Sequence, residues 1–318
     1  MRGHDHGKAL VAGGAGFLGS HLCERLISEG FDVLCIDNLS TGSESNLAHL
    51  RESGRFDFLY HDVTESFSAE ADFMFNLACP ASPTQYKDRP LETLRASFIG
   101  VMNLLELARA TGAPLFHAST SEIYGDPGVH PQPESYNGNV NPVGERACYN
   151  EGKRCAETLF ITYQRQYRIE GIIGRLFNTY GPRMAPDDGR VVSNFIVQAL
   201  RNRPLTIHGS GEQTRSFCYV EDLIDGIFAV FDNQAELLGP VNLGNPEEVT
   251  IRELAELIIE LTNSRSPMVE VPRSADDPSR RRPDISLATS LTAWHPSTSL
   301  RDGLRATILW FDELLRQQ

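Results

Sequence analysis

The chain has 318 residues, 41% of them hydrophobic and 22% charged, which is typical of a soluble globular protein with a sizeable core. A formal net charge of −13 argues against nucleic acid or an anionic membrane as a partner, because these surfaces repel an acidic protein. No run reaches the roughly 18 apolar residues that a membrane span needs, and the first residues lack the apolar region of a signal peptide. Six cysteines without a CxxC pair predict reduced thiols in the core, and we therefore expect a cytoplasmic protein without a bound metal.

Residues Lys8 to Asp37 have the pattern of one strand–turn–helix–strand unit that binds a dinucleotide. Gly13, Gly16 and Gly19 follow the spacing GxxGxxG, in which missing Cβ atoms permit a tight turn and a close approach of the backbone to a pyrophosphate. The N-terminus of the following helix directs its N–H groups at the phosphates. Asp37 ends the second strand, where its carboxylate can accept both ribose hydroxyls and repel a 2′-phosphate. The unit predicts NAD rather than NADP as the cofactor; a glycine turn that serves packing alone is the alternative.

Loops after the second and third strands extend the predicted cofactor site. Thr41-Gly42 lies in a polar loop that can close over the adenosine ribose. Asp62 follows the predicted strand Phe56–Tyr60 and can cap the adenine amino group, although an Asp at a strand end is more often a turn residue. The complete predicted cofactor-binding set is Gly13, Gly16, Phe17, Leu18, Gly19, Asp37, Asn38, Thr41, Gly42, Asp62, Val63, Leu77, Ala78, Tyr149 and Lys153.

Strands and helices alternate as far as residue 178. Apolar strands are predicted at Asp72–Ala78, Pro114–Ala118 and Ile172–Leu176, and apolar residues at helical spacing predict helices at Leu91–Thr111 and Cys148–Arg168. This alternation is typical of an α/β fold with a doubly wound parallel sheet, the Rossmann arrangement. Ligands bind at the carboxyl edge of such sheets, so the residues that follow each strand are candidates for the site.

Beyond residue 178 the pattern is looser, and we interpret residues 179–318 as a smaller mixed α/β substrate-binding lobe, interleaved with a dinucleotide-binding domain at 1–178. Two short strands, Leu205–His208 and Phe217–Val220, are predicted there. The predicted helices are Val191–Arg201, Asp222–Asp232, Ile251–Leu261 and Leu300–Leu315. A basic run, Arg280-Arg281-Arg282, stands out in an acidic protein and is either a clamp on a diphosphate or a solvated turn.

Tyr149 and Lys153 place a phenol and an ammonium on one face of their predicted helix. A phenol with a pKa of about 10 is a poor base at neutral pH, but neighbouring positive charges favour the phenolate. The phenolate can remove the proton of a sugar hydroxyl while hydride leaves the same carbon for NAD⁺. Thr120 follows the predicted strand Pro114–Ala118 and brings a hydroxyl to the same edge. An ordinary exposed helix face is the alternative, since YxxxK also occurs by chance.

Several stretches resemble the extended short-chain dehydrogenase/reductase family, whose members rework nucleotide sugars with a recycled NAD⁺. They are GGAGFLG, STSEIYGDP, YNEGKR and RLFNTYGP. NLACPASP, PLTIHGSGEQTRSFCYV and ADDPSRRRPDI resemble, more narrowly, the UDP-glucuronate decarboxylase branch, and the likeness extends from Lys8 to about Phe311. The resemblance implies a UDP-sugar substrate, UDP-xylose as the product, and a homodimer that pairs through the two long predicted helices.

The resemblance also implies roles for individual residues. Tyr149 is expected to be the base, Lys153 to hold the nicotinamide ribose, and Thr120 to bond the C4 hydroxyl of the sugar. Oxidation at C4 makes the C6 carboxylate part of a β-keto acid, which loses CO₂ before protonation at C5 and return of hydride to C4. Arg215 is expected near the sugar carboxylate or the site of protonation. The implied substrate-binding residues are Pro80, Tyr86, Asn178, Arg190, Arg215 and Arg281.

One catalytic position separates this chain from related 4,6-dehydratases, which carry an Asp-Glu pair after the threonine. Ser121 replaces the Asp and cannot shuttle the proton that expels water, whereas Glu122 remains, near the carboxylate or C5. The difference favours decarboxylation. A nucleotide-sugar 4-epimerase or 4,6-dehydratase is the nearer alternative, and a non-catalytic NAD-binding regulator the more distant one. Three further positions depart from the family: Asn150 replaces Asp, Asn137 replaces Trp and Ser97 replaces Asn.

Overall fold

A seven-stranded parallel sheet forms the centre of the protein. The computed structural model describes residues 7–236, 239–272 and 280–317. The strands are β1 (Lys8–Ala12), β2 (Asp32–Asp37), β3 (Phe56–Tyr60), β4 (Phe73–Asn76), β5 (Leu115–Thr120), β6 (Gly171–Leu176), β7 (Thr179–Tyr180), β8 (Leu205–His208), β9 (Thr214–Ser216), β10 (Cys218–Tyr219), β11 (Pro240–Leu243), β12 (Glu248–Thr250), β13 (Met268–Val271) and β14 (Arg280–Arg281). The main sheet has the order β11-β6-β5-β4-β1-β2-β3, with every pair parallel. The order reverses at β1 and β4, which confirms the predicted doubly wound α/β fold.

Helices cover both faces of this sheet. They are α1 (Phe17–Ser28), α2 (Pro83–Asp88), α3 (Pro90–Arg95), α4 (Val101–Thr111), α5 (Ala147–Tyr167), α6 (Val191–Leu200), α7 (Val220–Asp232), α8 (Ile251–Thr262), α9 (Ser286–Thr292) and α10 (Leu300–Arg316). Successive side chains of a strand point to opposite faces. Val11 of β1 therefore lies in one core cluster with Leu22 of α1, and Leu10 in another with Leu104 of α4 and Phe160 of α5. In the described part of the chain, no helix has the length and apolar character that a bilayer crossing requires.

The predicted helix Leu91–Thr111 is interrupted. α3 ends at Arg95, a π turn spans Ala96–Gly100, and α4 continues to Thr111. Apolar residues keep their helical spacing through the π turn, so the sequence pattern does not reveal it. The turn places the buried hydroxyl of Ser97 3.4 Å from the sulfur of Cys79, at the carboxyl edge of the sheet.

Residues after 178 contribute to the main sheet as well as to smaller ones. β11 pairs in parallel with β6 and forms one edge of the seven-stranded sheet. β12, β9 and β14 form a three-stranded sheet, and β13 pairs with β8. The division of the chain at residue 178 stays a prediction.

Several short elements are not predicted by the sequence pattern. They are α2, α9, β7, β9, β11, β12, β13, β14 and the 3₁₀ segments Glu44–Ser53 and Ser121–Tyr124. The six missed strands have two to four residues each, too few to show a period. The prediction of a strand at Phe217–Val220 is wrong in its bounds, because the strand covers only Cys218–Tyr219 and Val220 opens α7.

Candidate active site

One cavity of about 790 Å³ runs along the carboxyl edge of the main sheet, within the size range of small-molecule sites. The predicted cofactor residues that line it are Gly13, Gly16, Phe17, Leu18, Gly19, Asp37, Asn38, Thr41, Asp62, Val63, Leu77, Ala78, Tyr149 and Lys153. The predicted catalytic and substrate residues that line it are Pro80, Tyr86, Thr120, Ser121, Glu122, Asn178, Arg190, Arg215 and Arg281. Gly42 is not among the lining residues; a side chain there would press against the backbone of Ala15.

The glycine turn between β1 and α1 has the shape that a dinucleotide phosphate needs. Gly13 has a φ of +79°, and a Cβ atom there would stand 2.7 Å from backbone atoms of Leu77 and Ala78. A side chain at Gly19 would overlap the carbonyl oxygen of Gly13. α1 starts at Phe17 without a side-chain cap, so its first N–H groups are available to an anion.

Asp37 is held at the end of β2 by backbone donors. Its two carboxylate oxygens accept N–H groups from Ala15 at 2.9 Å and Leu39 at 2.8 Å, and only 8% of the residue is exposed. Burial raises the pKa of this carboxyl above its ordinary value, while the two backbone hydrogen bonds lower it. Each oxygen keeps further acceptor capacity toward the cavity. The carboxylate is thus oriented before any ligand hydroxyl reaches it.

Asp62 and Asn38 line the same end of the cavity as Asp37 and the glycine turn. We call this part of the cavity the nucleotide end. Asn38 donates its side-chain amide to Asp62 at 2.9 Å, and the Thr64 N–H donates to the other oxygen of Asp62 at 2.8 Å. Burial raises the pKa of Asp62, but the hydrogen bonds from Thr64 and Asn38 outweigh it and the net shift is downward. The residues that the sequence assigned to an adenosine therefore lie together, and with the glycine turn they fit a dinucleotide.

Tyr149 and Lys153 project from the first turns of α5 toward the end of β5. Both are buried, and the Lys153 ammonium donates to the carbonyl oxygen of Ala118 at 2.7 Å. Burial is the largest influence on the Tyr149 phenol and raises its pKa well above the usual value, while a hydrogen bond with Thr120 lowers it. The Thr120 hydroxyl accepts the N–H of Glu122 at 3.2 Å, which orients it at the start of the Ser121–Tyr124 turn.

Tyr86 packs directly on the candidate base. The rings of Tyr86 and Tyr149 are stacked, with centroids 5.0 Å apart and planes within 5°. Arg146 donates its Nε–H to the Tyr86 hydroxyl at 2.8 Å. Arg146 also lines the cavity, and the sequence interpretation missed it. Its position three residues before Tyr149, at the N-cap of α5, is the signal that could have identified it.

Glu122 is paired with two arginine side chains in the cavity. Arg281 contacts its two oxygens at 2.5 and 3.2 Å, and Arg146 lies 3.5 Å away. Burial alone would raise the pKa of Glu122, but Arg281 and Arg146 lower it to about 2. Glu122 is therefore ionised at neutral pH and can accept but not donate a hydrogen bond. Arg281, which the sequence assigned to a diphosphate, makes its observed contact with this carboxylate, and the diphosphate role stays a prediction.

Comparison with known proteins agrees with this geometry. Residues 9–244 match the model of the NAD dependent epimerase/dehydratase family. The chain belongs to this family. UDP-glucuronic acid decarboxylase 1 of Arabidopsis thaliana is 51% identical over 297 residues, which are 93% of this chain and 68% of that protein. UDP-glucuronic acid decarboxylase 1 of Danio rerio is 49% identical over 99% of this chain and 75% of that protein.

Solved structures of the family show the same fold. The UDP-glucuronic acid 4-epimerase of Bacillus cereus, in complex with UDP-glucuronic acid and NAD, superposes with a TM-score of 0.86 at 28% identity. The match covers 96% of this chain and 99% of that one. The predicted resemblance to the extended short-chain dehydrogenase/reductase family is confirmed.

Two further arginines, Arg215 and Arg190, line the same cavity. Arg215 on β9 is paired in register with Arg281 on β14, so both guanidinium groups start from adjacent strands. Arg215 is buried and donates to the carbonyl oxygen of Thr214 at 2.8 Å. Arg190, at the start of α6, lies 3.6 Å from Asp188. These residues give the cavity local positive charge in a chain whose net charge is −13.

The cysteines differ in part from the prediction. All six are free thiols, but only Cys23, Cys35 and Cys218 are buried, and Cys155 is exposed. The prediction that all six belong to the core is therefore wrong. Cys155 lies on the outward face of α5, where an apolar neighbourhood in sequence does not mean burial. The described residues contain no cluster of three or more His, Cys, Asp or Glu side chains placed to hold a metal.

Proposed function

We propose that this chain is an NAD-dependent enzyme that converts UDP-glucuronate to UDP-xylose and CO₂. The observation that carries the proposal is the Glu122 carboxylate, in contact with Arg281 and Arg146, beside the Thr120–Tyr149 pair at the end of β5. Arginine side chains at this place suit a substrate that brings both a carboxylate and a diphosphate. The names of the decarboxylase relatives support the same substrate.

The first chemical step is removal of the proton from the C4 hydroxyl by Tyr149. Because burial raises the pKa of the phenol, the phenolate needs positive charge close by. The Lys153 ammonium lies one helical turn away and supplies part of that charge. Bound NAD⁺ supplies the rest and serves as the acceptor, and later the donor, of the C4 hydride. Thr120, whose oxygen accepts the Glu122 N–H, directs its own O–H toward the C4 oxygen.

Oxidation at C4 makes loss of CO₂ possible. The electrons of the C5–C6 bond flow into the new ketone and leave an enolate, which must then be protonated at C5. Glu122 does not supply this proton, because its pKa of about 2 keeps it ionised. Its carboxylate instead orients Arg281 and Arg146 and accepts a hydrogen bond from the water that protonates C5. Ser121 offers no acid for expelling water, which separates this site from that of a 4,6-dehydratase.

A 4-epimerase acting on UDP-glucuronate is the second candidate. The solved 4-epimerase of Bacillus cereus binds the same substrate on the same fold, so recognition of the carboxylate alone does not separate the two reactions. Epimerisation keeps the carboxylate and returns the hydride to the opposite face of the C4 ketone, whereas decarboxylation removes C6 as CO₂. Products therefore distinguish them.

The test is incubation of the purified protein with UDP-glucuronate, with and without added NAD⁺. Proton NMR follows the sugar nucleotide while released CO₂ is measured. The expected result is UDP-xylose with CO₂ and no net NADH. UDP-galacturonate without CO₂ would favour the epimerase, and turnover only of neutral hexose nucleotides would contradict both readings.

We further propose a cytoplasmic homodimer. Leu91, Leu94 and Phe98 form an apolar strip along α3 and the π turn, with 70%, 40% and 44% of each residue exposed. An exposed strip of this kind is typical of a protein–protein contact. Pairing with the same strip of a second copy would cover it, as the family resemblance implies. Six free thiols support a reducing compartment.

A further inference from the structure

A buried polar network lies directly behind the candidate active site, and the chemistry described above does not use it. Its centre is Arg175 on β6, of which 8% is exposed. Arg175 donates to both oxygens of Glu157 at 3.0 and 2.8 Å, and to the Tyr124 hydroxyl and the Glu134 carbonyl, both at 2.9 Å. The guanidinium carbon also lies 5.1 Å from the centre of the Tyr124 ring. One side chain thus connects β6 with α5, with the Ser121–Tyr124 turn and with the loop at Glu134.

The first connection leads to the helix that carries the base. Tyr149, Lys153 and Glu157 follow one another at intervals of four residues and share one face of α5. Glu157 accepts a hydrogen bond from the Ser119 hydroxyl at 2.5 Å, next to the 2.7 Å bond from Lys153 to Ala118. Two hydrogen bonds, at Ala118 and at Ser119, therefore hold α5 against the last residues of β5. Arg175 is the register partner of Ser119 in β6, which places it where it can hold Glu157.

The second connection leads to the turn that carries Glu122. Tyr124 ends this turn, and its hydroxyl accepts from Arg175 while donating to the side-chain oxygen of Asn242 at 2.8 Å. Asn242 lies on β11 and is fully buried. The position of the turn is thus set by β6 and β11, two neighbouring strands of the main sheet.

The third connection leads to the segment that carries Arg281. The side-chain amide of Asn242 donates to the carbonyl oxygens of Gln132 at 2.9 Å and Asp284 at 3.0 Å. Gln132 in turn accepts the N–H of Arg282 at 2.9 Å through its side chain. Arg282 and Asp284 lie just after the end of β14, so this chain of bonds reaches the strand that presents Arg281 to Glu122.

We propose that Arg175, together with Glu157, is a positioning unit that fixes Tyr149, Thr120 and the Glu122–Arg281 pair relative to one another. The inference rests on the proposed function, because it concerns the geometry of the same reaction. Displacing a reacting group by about 1 Å can cost about 100-fold in rate, so a rigid link between α5, the turn and β14 has a direct effect on turnover. None of the network side chains needs to touch substrate for this.

The test separates positioning from plain stabilisation with three variants: Glu157→Gln, Arg175→Met and the double variant. Each single variant leaves one buried charge without its partner and should lower both Tm and kcat, whereas the double variant removes both charges and should regain Tm. If the pair positions the site, kcat of the double variant stays about 10- to 100-fold below wild type, with KM and NAD⁺ affinity little changed. Recovery of kcat together with Tm would overturn the proposal.

A fourth variant keeps the proposal testable if the charge variants do not fold. Tyr124→Phe removes one hydroxyl and keeps the ring, so it breaks the links to Arg175 and Asn242 with little loss of packing. We expect an approximately 10-fold lower kcat at unchanged KM; wild-type kcat in a folded Tyr124→Phe protein would contradict the inference.

The matched control is Asp222→Asn. Asp222 is also a buried carboxylate, bonded to Ser297 at 3.2 Å and to the Thr298 N–H at 2.9 Å, but it lies outside the cavity. The Asp222→Asn variant should have a lower Tm than the wild-type protein and an unchanged kcat. Wild-type protein run in parallel tests the proposed function by itself, since absence of CO₂ there would reject the reaction, not the network. In that case the network is tested by the rate of C4 oxidation in each variant, divided by the rate in the wild-type protein, because an epimerase also oxidises C4.

Discussion

The two ends of the cavity are built in different ways. At the nucleotide end, Asp37 is held by N–H groups of Ala15 and Leu39, and the glycine turn is contained in a few residues. The other end, which contains Tyr149, Thr120 and Glu122, is called the sugar end. There Glu122 accepts a hydrogen bond from Arg281, which lies 159 residues further along the chain. Backbone donors from nearby residues make the first end a local property of the sequence. Side chains brought together by the whole fold make the second end a tertiary property, and the two should respond differently to substitution.

The largest expected effect is at the sugar end. Tyr149→Phe removes the proposed base and should lower kcat by about 10²- to 10⁴-fold, the usual contribution of acid–base catalysis. NAD⁺ affinity, measured by titration calorimetry, should change little because the nucleotide end is intact. Tyr163→Phe is the control: this tyrosine is on the same helix and donates to Glu106 at 2.6 Å outside the cavity, so kcat should not change. Equal losses in both variants would contradict the role of Tyr149.

Gly13→Ala tests the nucleotide end in the same way. The φ of +79° and the nearby Leu77–Ala78 backbone disfavour a methyl group, and strain of about 1–3 kcal/mol should weaken NAD⁺ binding by about 5- to 150-fold. Gly112→Ala is the matched control, because Gly112 has a φ of +76° but open space around it. It should lower the free energy of unfolding and leave NAD⁺ affinity unchanged. Similar affinity losses in both variants would mean that the contact at Gly13 is irrelevant.

The charge pairing at the sugar end predicts a pH dependence of stability. Arg281 and Arg146 hold the pKa of Glu122 at about 2, below its ordinary value, so its ionised form stabilises the folded state above about pH 4.5. This contribution, on the order of 3 kcal/mol as an upper bound, is lost as pH falls from about 4.5 to about 2. Denaturant unfolding should show Glu122→Gln less stable than wild type at neutral pH, with the difference shrinking over that window. A difference that is constant with pH would contradict the pairing.

The smallest effect on activity is expected on the surface. Phe98→Glu places a charge in the exposed strip of Leu91, Leu94 and Phe98 and should convert the proposed dimer to a monomer in light scattering. Leu309→Glu, on α10 with 63% of the residue exposed, is the control and should leave the mass unchanged. Because both ends of the cavity are formed by one chain, kcat should change least here. A monomeric mass for the wild-type protein in light scattering would contradict the proposed dimer.

The sequence was sufficient for most of the fold and for the nucleotide end. Alternating apolar strands and helices predicted the sheet as far as β6, and GxxGxxG with Asp37 predicted the turn that the structure shows. These features are local: periodicity and glycine spacing act within about thirty residues. β11 was not predicted, because a strand of four residues is too short to show a hydrophobic period, although this strand forms one edge of the sheet.

The sugar end was predicted only in part. Tyr149, Lys153 and Thr120 could be named because a helix face and a strand end place them, but the partner of Arg281 could not. Its pairing with Glu122 depends on the small sheet of β9, β12 and β14, whose strands are too short to read from sequence. The network around Arg175 was missed for the same reason, since its members come from strands and loops that only the fold assembles.

The most direct test of the proposed reaction is turnover of UDP-glucuronate in deuterated water, followed by NMR and mass spectrometry. The account predicts UDP-xylose with one deuterium at C5 and the original hydrogen at C4, because the proton at C5 comes from water and the hydride returns to the carbon it left. Release of CO₂ should match the product formed. A product that keeps C6, or UDP-xylose with deuterium at C4, would contradict the mechanism.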